Sequence, residues 1–354
     1  MSDLYISRIR NWLLSSPPAE WALQQLRELL IGALSQGPIP QHISFEMDGN
    51  RRYAKMHKIE AIEGHHLGFE ALAKVLEICY KCGVKVVTVY AFSIENYHRP
   101  QYEVDGLMEL AKVKLQQLMQ HGAVLDRYGV SVRVQGQRDL IRADVLEVVH
   151  RIVETTKHNA RATLNICFPY TSREEISQSI RNTVSEYSSP PRPQNTPFSQ
   201  ARIKQTILSK QLDRPELLST IRETSPAPSV SRSEEADGSV SSSTTLPPDS
   251  PSRNSGPADV TILPNPEAIT AETIDSHMYI TGDPPLDIFV RTSGVERLSD
   301  FMLWQCHQNT EIFFLKCFWP EFDLYHFLPV LVEWQRRQKQ KAADEKPRKL
   351  VKPW

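Results

Sequence analysis

An aspartate, a glycine, an amide and two arginines stand in a row at Asp48, Gly49, Asn50, Arg51 and Arg52, directly after a short run with apolar Ile43, Phe45 and Met47. Guanidinium groups are planar forks suited to phosphate oxygens. Glycine lets the backbone come close to a ligand, and free N–H groups at a helix start favour anions. Asp48 would repel a phosphate unless a divalent cation stood between them, so the stretch reads as a Mg²⁺–phosphate site. The other reading of the same residues is an ordinary polar turn with a helix cap. Three more polar clusters follow: Ser93, Glu95, Asn96 and Arg99; Arg291, Arg297 and Ser299; and Glu311 ahead of Trp319. His65 joins the first cluster through Gly64-His65. Any one of them alone could be a surface turn; all of them along one edge of a sheet would be a binding site.

The elements that would position these clusters alternate. An opening strand ends at Met47, and residues 64–81 carry apolar side chains at helical spacing. Residues 84–92 form a nearly continuous apolar run, as in a strand buried on both faces. A long helix is expected over 103–128, a strand over 130–134, a helix over 143–158, a strand over 162–168 and a helix over 172–185. After residue 266 come a helix over 268–280, a strand over 286–290, a helix over 300–307, a strand over 312–318 and a final helix from Asp323. Strands alternating with helices predict an α/β fold, a single domain built on a central, mostly parallel sheet of about six strands flanked by helices. In such sheets ligands bind where loops converge at the carboxyl edge of the strands.

Residues 1–36 read as N-terminal helices broken at Pro17-Pro18, with Ala22, Leu26, Leu29, Leu30 and Ala33 on one face. That face suits either a membrane surface or packing on the domain itself. The main domain is expected over 37–187 and 267–335. Between these pieces, 188–266 is a Ser/Pro-rich insertion lacking the apolar surface that would offset ordering entropy. Residues 336–354 form a basic tail, compatible with anionic lipid or with a solvated helix end.

Bulk composition narrows the function classes. The 354 residues have a formal net charge of -1, so no general basic field draws nucleic acid. The five cysteines are odd in number and lie mostly in apolar segments, as reduced core thiols do. No run approaches the ~18 apolar residues of a membrane span. There is no G-K-[ST] after a glycine loop, which excludes a P-loop NTPase. There is no pair of D-D-x-x-D motifs of the kind a trans-prenyltransferase needs.

The strings MDGNRRYA, EGHHLGF, VYAFSIEN, CFPYTSREEI, PPLDIFVRTSG, RLSDFMLWQ and WPEF resemble the cis-prenyltransferases, the undecaprenyl and dehydrodolichyl diphosphate synthase family, and the fungal dehydrodolichyl enzymes most of all. The likeness spans residues 40–335 apart from the insertion. It implies condensation of farnesyl diphosphate with successive isopentenyl diphosphates to a polyprenyl diphosphate for dolichol synthesis and protein glycosylation. The growing chain would thread an apolar tunnel between the sheet and two helices. By the same resemblance Asp48 holds Mg²⁺ against the diphosphates. Gly49, Asn50, Arg51, Arg52, Tyr53 and His65 cradle the allylic diphosphate. Ser93, Glu95 and Arg99 belong to the second polar cluster, where Asn96, or else a phosphate oxygen, takes the departing proton. Arg291, Arg297 and Ser299 bind isopentenyl diphosphate. Glu311 matches a second metal ligand of the bacterial enzymes, eight residues before Trp319 as that glutamate is before its tryptophan.

The chain departs from the pattern in three places. Glu46 stands where the strand is usually apolar, and Ala61 where many bacterial members have a phosphate-binding arginine. The carboxyl-terminal Arg-x-Gly of the bacterial enzymes is missing. By resemblance to eukaryotic members, that last motif comes from an accessory subunit of the Nogo-B receptor type, with the complex held peripherally on the cytosolic face of the endoplasmic reticulum membrane. A rival reading is a non-catalytic scaffold subunit of the same fold; such subunits lose the aspartate and the arginine loop, and both are intact here.

Overall fold

The computed structural model describes residues 17–120, 125–189, 264–307 and 309–344. The chain divides into one unit of residues 1–184 with 269–354, and another of residues 185–268. In the first unit six strands, β1 (His42–Glu46), β2 (Val86–Tyr90), β3 (Val130–Gln135), β4 (Ala162–Cys167), β5 (Ile288–Arg291) and β6 (Glu311–Phe314), form one sheet in the order β3-β4-β2-β1-β5-β6. Every pairing is parallel. The helices are α1 (Pro17–Leu34), α2 (Asn50–His57), α3 (Ala61–Cys82), α4 (Gln101–Gln120), α5 (Leu125–Tyr128), α6 (Ala143–Thr156), α7 (Ser172–Tyr187), α8 (Ala271–Ser276) and α9 (Leu324–Asp344), of which α2 to α8 supply the crossovers between β1 and β5. Of the second unit the described residues hold the last turn of α7 and a short 3-10 turn at Pro266–Ala268. The expected insertion and the end of the basic tail lie largely outside the described residues.

Both faces of the sheet are covered, which is why its strands read as apolar runs. On one face Ile43, Phe45, Val87 and Val89 pack with Val75 and Leu76 of α3 and with Trp319 and Phe327. On the other, Phe289 and Cys167 meet Phe301, Met302 and Tyr170. The register aligns the carboxyl ends: Glu46 is level with Tyr90 and with Arg291, and Tyr90 with Cys167. The expected clusters after β1, β2 and β5 therefore emerge side by side.

Three elements differ from the expectation. Residues 300–307 form turns, because Ser299, Asp300 and Met302 take positive φ (44°, 63° and 50°), which a right-handed helix cannot contain. The loop is instead pinned to α7, where the Ser172 N–H donates to the Asp300 carbonyl at 2.7 Å and Ser172 Oγ accepts the Leu303 N–H at 2.8 Å. The long helix expected over 103–128 is described as α4 and α5, with residues 121–124 between them outside the described set. The inward face of α1 is Leu30, Ile31 and Leu34, while Ala22, Leu26, Leu29 and Ala33 are exposed. Trp21 and Leu29 are 67% and 69% exposed, an apolar outer stripe. Among the described residues no helix is long and apolar enough to cross a membrane.

Candidate active site

A cavity of about 680 Å³ opens at the carboxyl edge of the sheet and runs between the strands and helices α3 and α4. Its mouth is polar, with Asp48, His65, Asn96, Arg99, Arg291 and Ser299 among the lining residues; its floor is apolar, with Leu72, Leu76, Leu107, Leu118, Leu164 and Ile166. Such a cavity would take a ligand with an anionic head and a hydrocarbon tail.

The first cluster is held by a tight turn. Asp48 N–H donates to the Glu46 carbonyl at 2.9 Å, and Gly49 takes φ 108° before α2 begins. A Cβ on Gly49 would stand 2.8 Å from the Phe318 ring and 3.1 Å from Ser293 Cβ, so the position needs glycine for its conformation and for its space. Trp319 N–H and Thr292 Oγ1 donate to the Asp48 carbonyl at 3.1 and 2.6 Å, which locks the aspartate to the segments after β5 and β6. The side-chain Oδ2 accepts from Arg52 Nη2 at 3.1 Å and from Arg291 Nη2 at 2.8 Å. Burial pushes the Asp48 carboxyl up, but bonds from Arg291 and Ser293 and the charges of Arg291 and Arg52 outweigh it and hold its pKa below the usual range. Asp48 is therefore a carboxylate at neutral pH.

Arg291 is the hub of the mouth. It is only 3% exposed, and it bonds Asp48, the Arg297 carbonyl, Ser299 Oγ and, at 2.7 Å, Glu46 Oε1. That last pair explains the acid the sequence left without a role: Glu46 is the buried carboxyl partner that holds the Arg291 guanidinium in place. Burial pushes the Glu46 carboxyl up to about 8, Asp48 adds to the rise and Arg291 opposes it. Glu46 Oε2 and Arg291 Nε are both buried without a hydrogen-bond partner.

The second cluster is built around a short 3-10 turn, Ile94–His98. Ser93 Oγ accepts the Glu95 N–H at 3.2 Å, and Asn96 Oδ1 accepts the Ser93 N–H at 3.0 Å. The Asn96 carboxamide is thus fixed by capping, with its oxygen already engaged by a backbone donor. Arg99 Nη1 donates to Glu103 Oε1 at 2.9 Å, and Arg51 stands 3.8 Å from the same oxygen. Glu103, buried at the start of α4, was not among the expected site residues; its signal was the i,i+4 spacing from Arg99. Arg173 of the CFPYTSREEI string also lines the mouth and ties Asp300, at 2.7 Å, to Glu95, at 3.3 Å. His65 is pushed down to about 4 by burial, then by Arg99 and Arg51, and its Nε2 is buried and unpartnered.

Five expected residues are not among those that line the cavity: Gly49, Arg51, Arg52, Tyr53 and Glu311. Tyr53 stacks on His57, ring centroids 3.9 Å apart, and is not among the lining residues. Glu311 is the clear correction. It begins β6 level with Ile288, which is level with Ile43, at the amino edge of the sheet. Five residues of strand separate that level from Asp48, roughly 15 Å at the usual rise. Glu311 is bound instead by Arg337 and, at 3.1 Å, by Lys341 of α9. Among the described residues no group of three or more His, Cys, Asp or Glu could hold a metal ion. A single carboxylate in a cationic mouth nevertheless fits Mg²⁺, which keeps several waters and is bound through one or two carboxylates plus substrate phosphates.

Residues 47–225 and 248–342 match the undecaprenyl diphosphate synthase family. The chain is 38% identical over 330 residues to a dehydrodolichyl diphosphate synthase complex subunit of Schizosaccharomyces pombe, covering 93% of this chain and 98% of that one. It is 33% identical over 313 residues to the corresponding human complex subunit, covering 88% of this chain and 72% of the human one. Among solved structures, lavandulyl diphosphate synthase from Lavandula x intermedia, in complex with dimethylallyl diphosphate, shares the fold with a TM-score of 0.59 at 19% identity, over 84% of this chain and 95% of that one.

Proposed function

This chain belongs to the undecaprenyl diphosphate synthase family, and from that premise we propose how its cavity carries out cis-prenyl chain elongation, the condensation of farnesyl diphosphate with successive isopentenyl diphosphates to a dehydrodolichyl diphosphate. The observation that carries the reading is one continuous cavity with a cationic mouth and an apolar floor. In each cycle the allylic C–O bond breaks with diphosphate leaving, a C–C bond forms to the terminal alkene carbon C4 of isopentenyl diphosphate, and C2 loses a proton as the C2=C3 double bond forms.

Asp48 would hold Mg²⁺; when bound, the ion neutralises charge on the departing diphosphate. Asn50, Arg51 and Arg52 at the start of α2, with His65 donating or accepting as a neutral ring, hold the allylic diphosphate. Arg291, Arg297 and Ser299 hold the second diphosphate, and Arg291 is kept in place by Glu46 and Asp48. Holding both reactants in register converts the encounter into an intramolecular one. Because the Asn96 oxygen is taken up by capping, its amide serves as a donor to diphosphate, and a phosphate oxygen accepts the proton.

The chain works as a subunit of a heteromeric complex, in keeping with relatives named as complex subunits. An accessory subunit of the Nogo-B receptor type suits the open edge of β6, where Ile312 and Phe314 are exposed. Peripheral contact with the endoplasmic reticulum membrane is supported by the apolar outer stripe of α1. Asp48→Ala should abolish incorporation of radiolabelled isopentenyl diphosphate while circular dichroism stays that of the parent. Near-normal turnover would overturn the reading, and turnover that survives complete chelation would remove the Mg²⁺ role.

A further inference from the structure

The cavity wall contributed by α4 has one residue out of pattern. Leu107, Leu110, Ala111, Leu115 and Leu118 line it at helical spacing, and Lys114 stands in the same stripe. Among the described residues lining the cavity, Lys114 is the only ionisable one away from the polar mouth. It lies about 16 Å along the helix from Glu103, at ~1.5 Å per residue. Its residue surface is 7% exposed.

An ammonium facing hydrocarbon is costly unless its three donors are engaged. Lys114 Nζ is 3.0 Å from His66 Nε2, donates to Gln117 Oε1 at 3.0 Å and stands 5.0 Å from the centre of the Phe69 ring. None of these partners is a carboxylate, and among the described residues no ion pair neutralises the amine. His66 in turn has Glu70 3.6 Å away on its far side. The amine is therefore tied to the wall without a carboxylate partner, with its aliphatic stem left toward the cavity. A hydrocarbon chain lengthening down this wall meets only apolar surface until it reaches that charge.

We propose that Lys114, tied back by His66 and Gln117, sets the length of the polyprenyl product by placing a charge on the cavity wall at a fixed depth. The proposal rests on the elongation reading above. Each unit added beyond this depth packs hydrocarbon against an ammonium whose partners cannot follow it. Removing the charge takes away that opposition, whereas cutting the ties frees the amine to swing into the path and stop the chain earlier.

The test uses the full-length chain purified with its co-purifying subunits, farnesyl diphosphate and radiolabelled isopentenyl diphosphate, with products resolved by chain length. Lys114→Met keeps an unbranched side chain of similar length and should move the product distribution to longer chains by one or more isoprene units. His66→Ala combined with Gln117→Leu, made at exposed positions, should move it to shorter ones. The rate of the first condensation should stay within about twofold of the parent in both, because neither change touches the mouth. Identical product lengths in parent and both variants, or a shift of both in one direction, would overturn the role of Lys114. A parent complex that makes no polyprenyl product would instead overturn the elongation reading.

Discussion

The two ends of the same sheet are both polar, yet they are finished differently. Toward the amino ends, His42 has Thr88 at 2.8 Å and the Pro284 carbonyl at 2.9 Å. Asp283 accepts from Asn165 at 2.6 Å and from Arg133 at 2.9 Å. Asp287 accepts the N–H groups of Gln41 and His42. The buried atoms left over there, Ser44 Oγ and Asn165 Oδ1, are neutral. At the carboxyl ends three of the leftover atoms belong to ionisable groups, Glu46 Oε2, Arg291 Nε and His65 Nε2, and a fourth, Asn50 Oδ1, faces the same mouth. Buried polar atoms are normally satisfied, so one end is a structural clamp and the other is a site that a ligand completes.

Cutting the hub at each end separates the two descriptions. Arg291→Met leaves the Glu46 carboxyl buried without the partner it now bonds, and an unsatisfied buried polar group costs about 1–3 kcal/mol. The kcat/KM for isopentenyl diphosphate should fall in addition by about 10²–10³-fold, the scale of losing one preorganised donor. Chemical denaturation and steady-state kinetics read the two effects. Asp283→Asn, at the clamp, should cost about 1–3 kcal/mol of stability and leave kcat/KM within about twofold. A large kinetic defect in this variant would dissolve the distinction between the ends.

A smaller effect is a pH dependence confined to the carboxyl end. The folded protein holds the Glu46 proton up to about pH 8, against a usual value of 4.5. A raised folded pKa means that this contribution to stability is complete below about pH 4.5 and is lost as pH rises through 8. Glu46→Gln keeps the shape and cannot ionise, so its melting temperature relative to the parent should climb from pH 5 to pH 9, by about 2–4 °C for each kcal/mol. Parallel melting curves across that range would show that Glu46 is ionised throughout.

The alternation of strands and helices was legible because strands covered on both faces are unbroken apolar runs and the helices between them keep one stripe. The arginine clusters were legible because each directly follows such a run. What could not be read was register. Glu46 and Arg291 are level only because β1 and β5 are neighbours, and nothing near either residue announces it. Glu311 was misplaced by counting back from Trp319, which follows the carboxyl end of β6, to a residue at its amino end. One strand carries the chain from one edge of the sheet to the other, so eight residues of sequence cross the whole sheet. The helix expected over 300–307 is ruled out by three left-handed residues, Ser299, Asp300 and Met302, at its start.

Because β5 and β6 come last in the chain yet β5 lies beside β1, the order of synthesis leaves a gap. Arg291 follows Asp48 by 243 residues, which at ~5–20 residues per second takes a ribosome roughly 10–50 s. During that interval β2, β4 and β3 can assemble on one side of β1, while its other side is an open edge carrying Ile43, Phe45 and an uncompensated Glu46. A charge that points inward on an open edge discourages pairing with other chains. The acid that ends buried against Arg291 would first serve the nascent chain as a guard against aggregation.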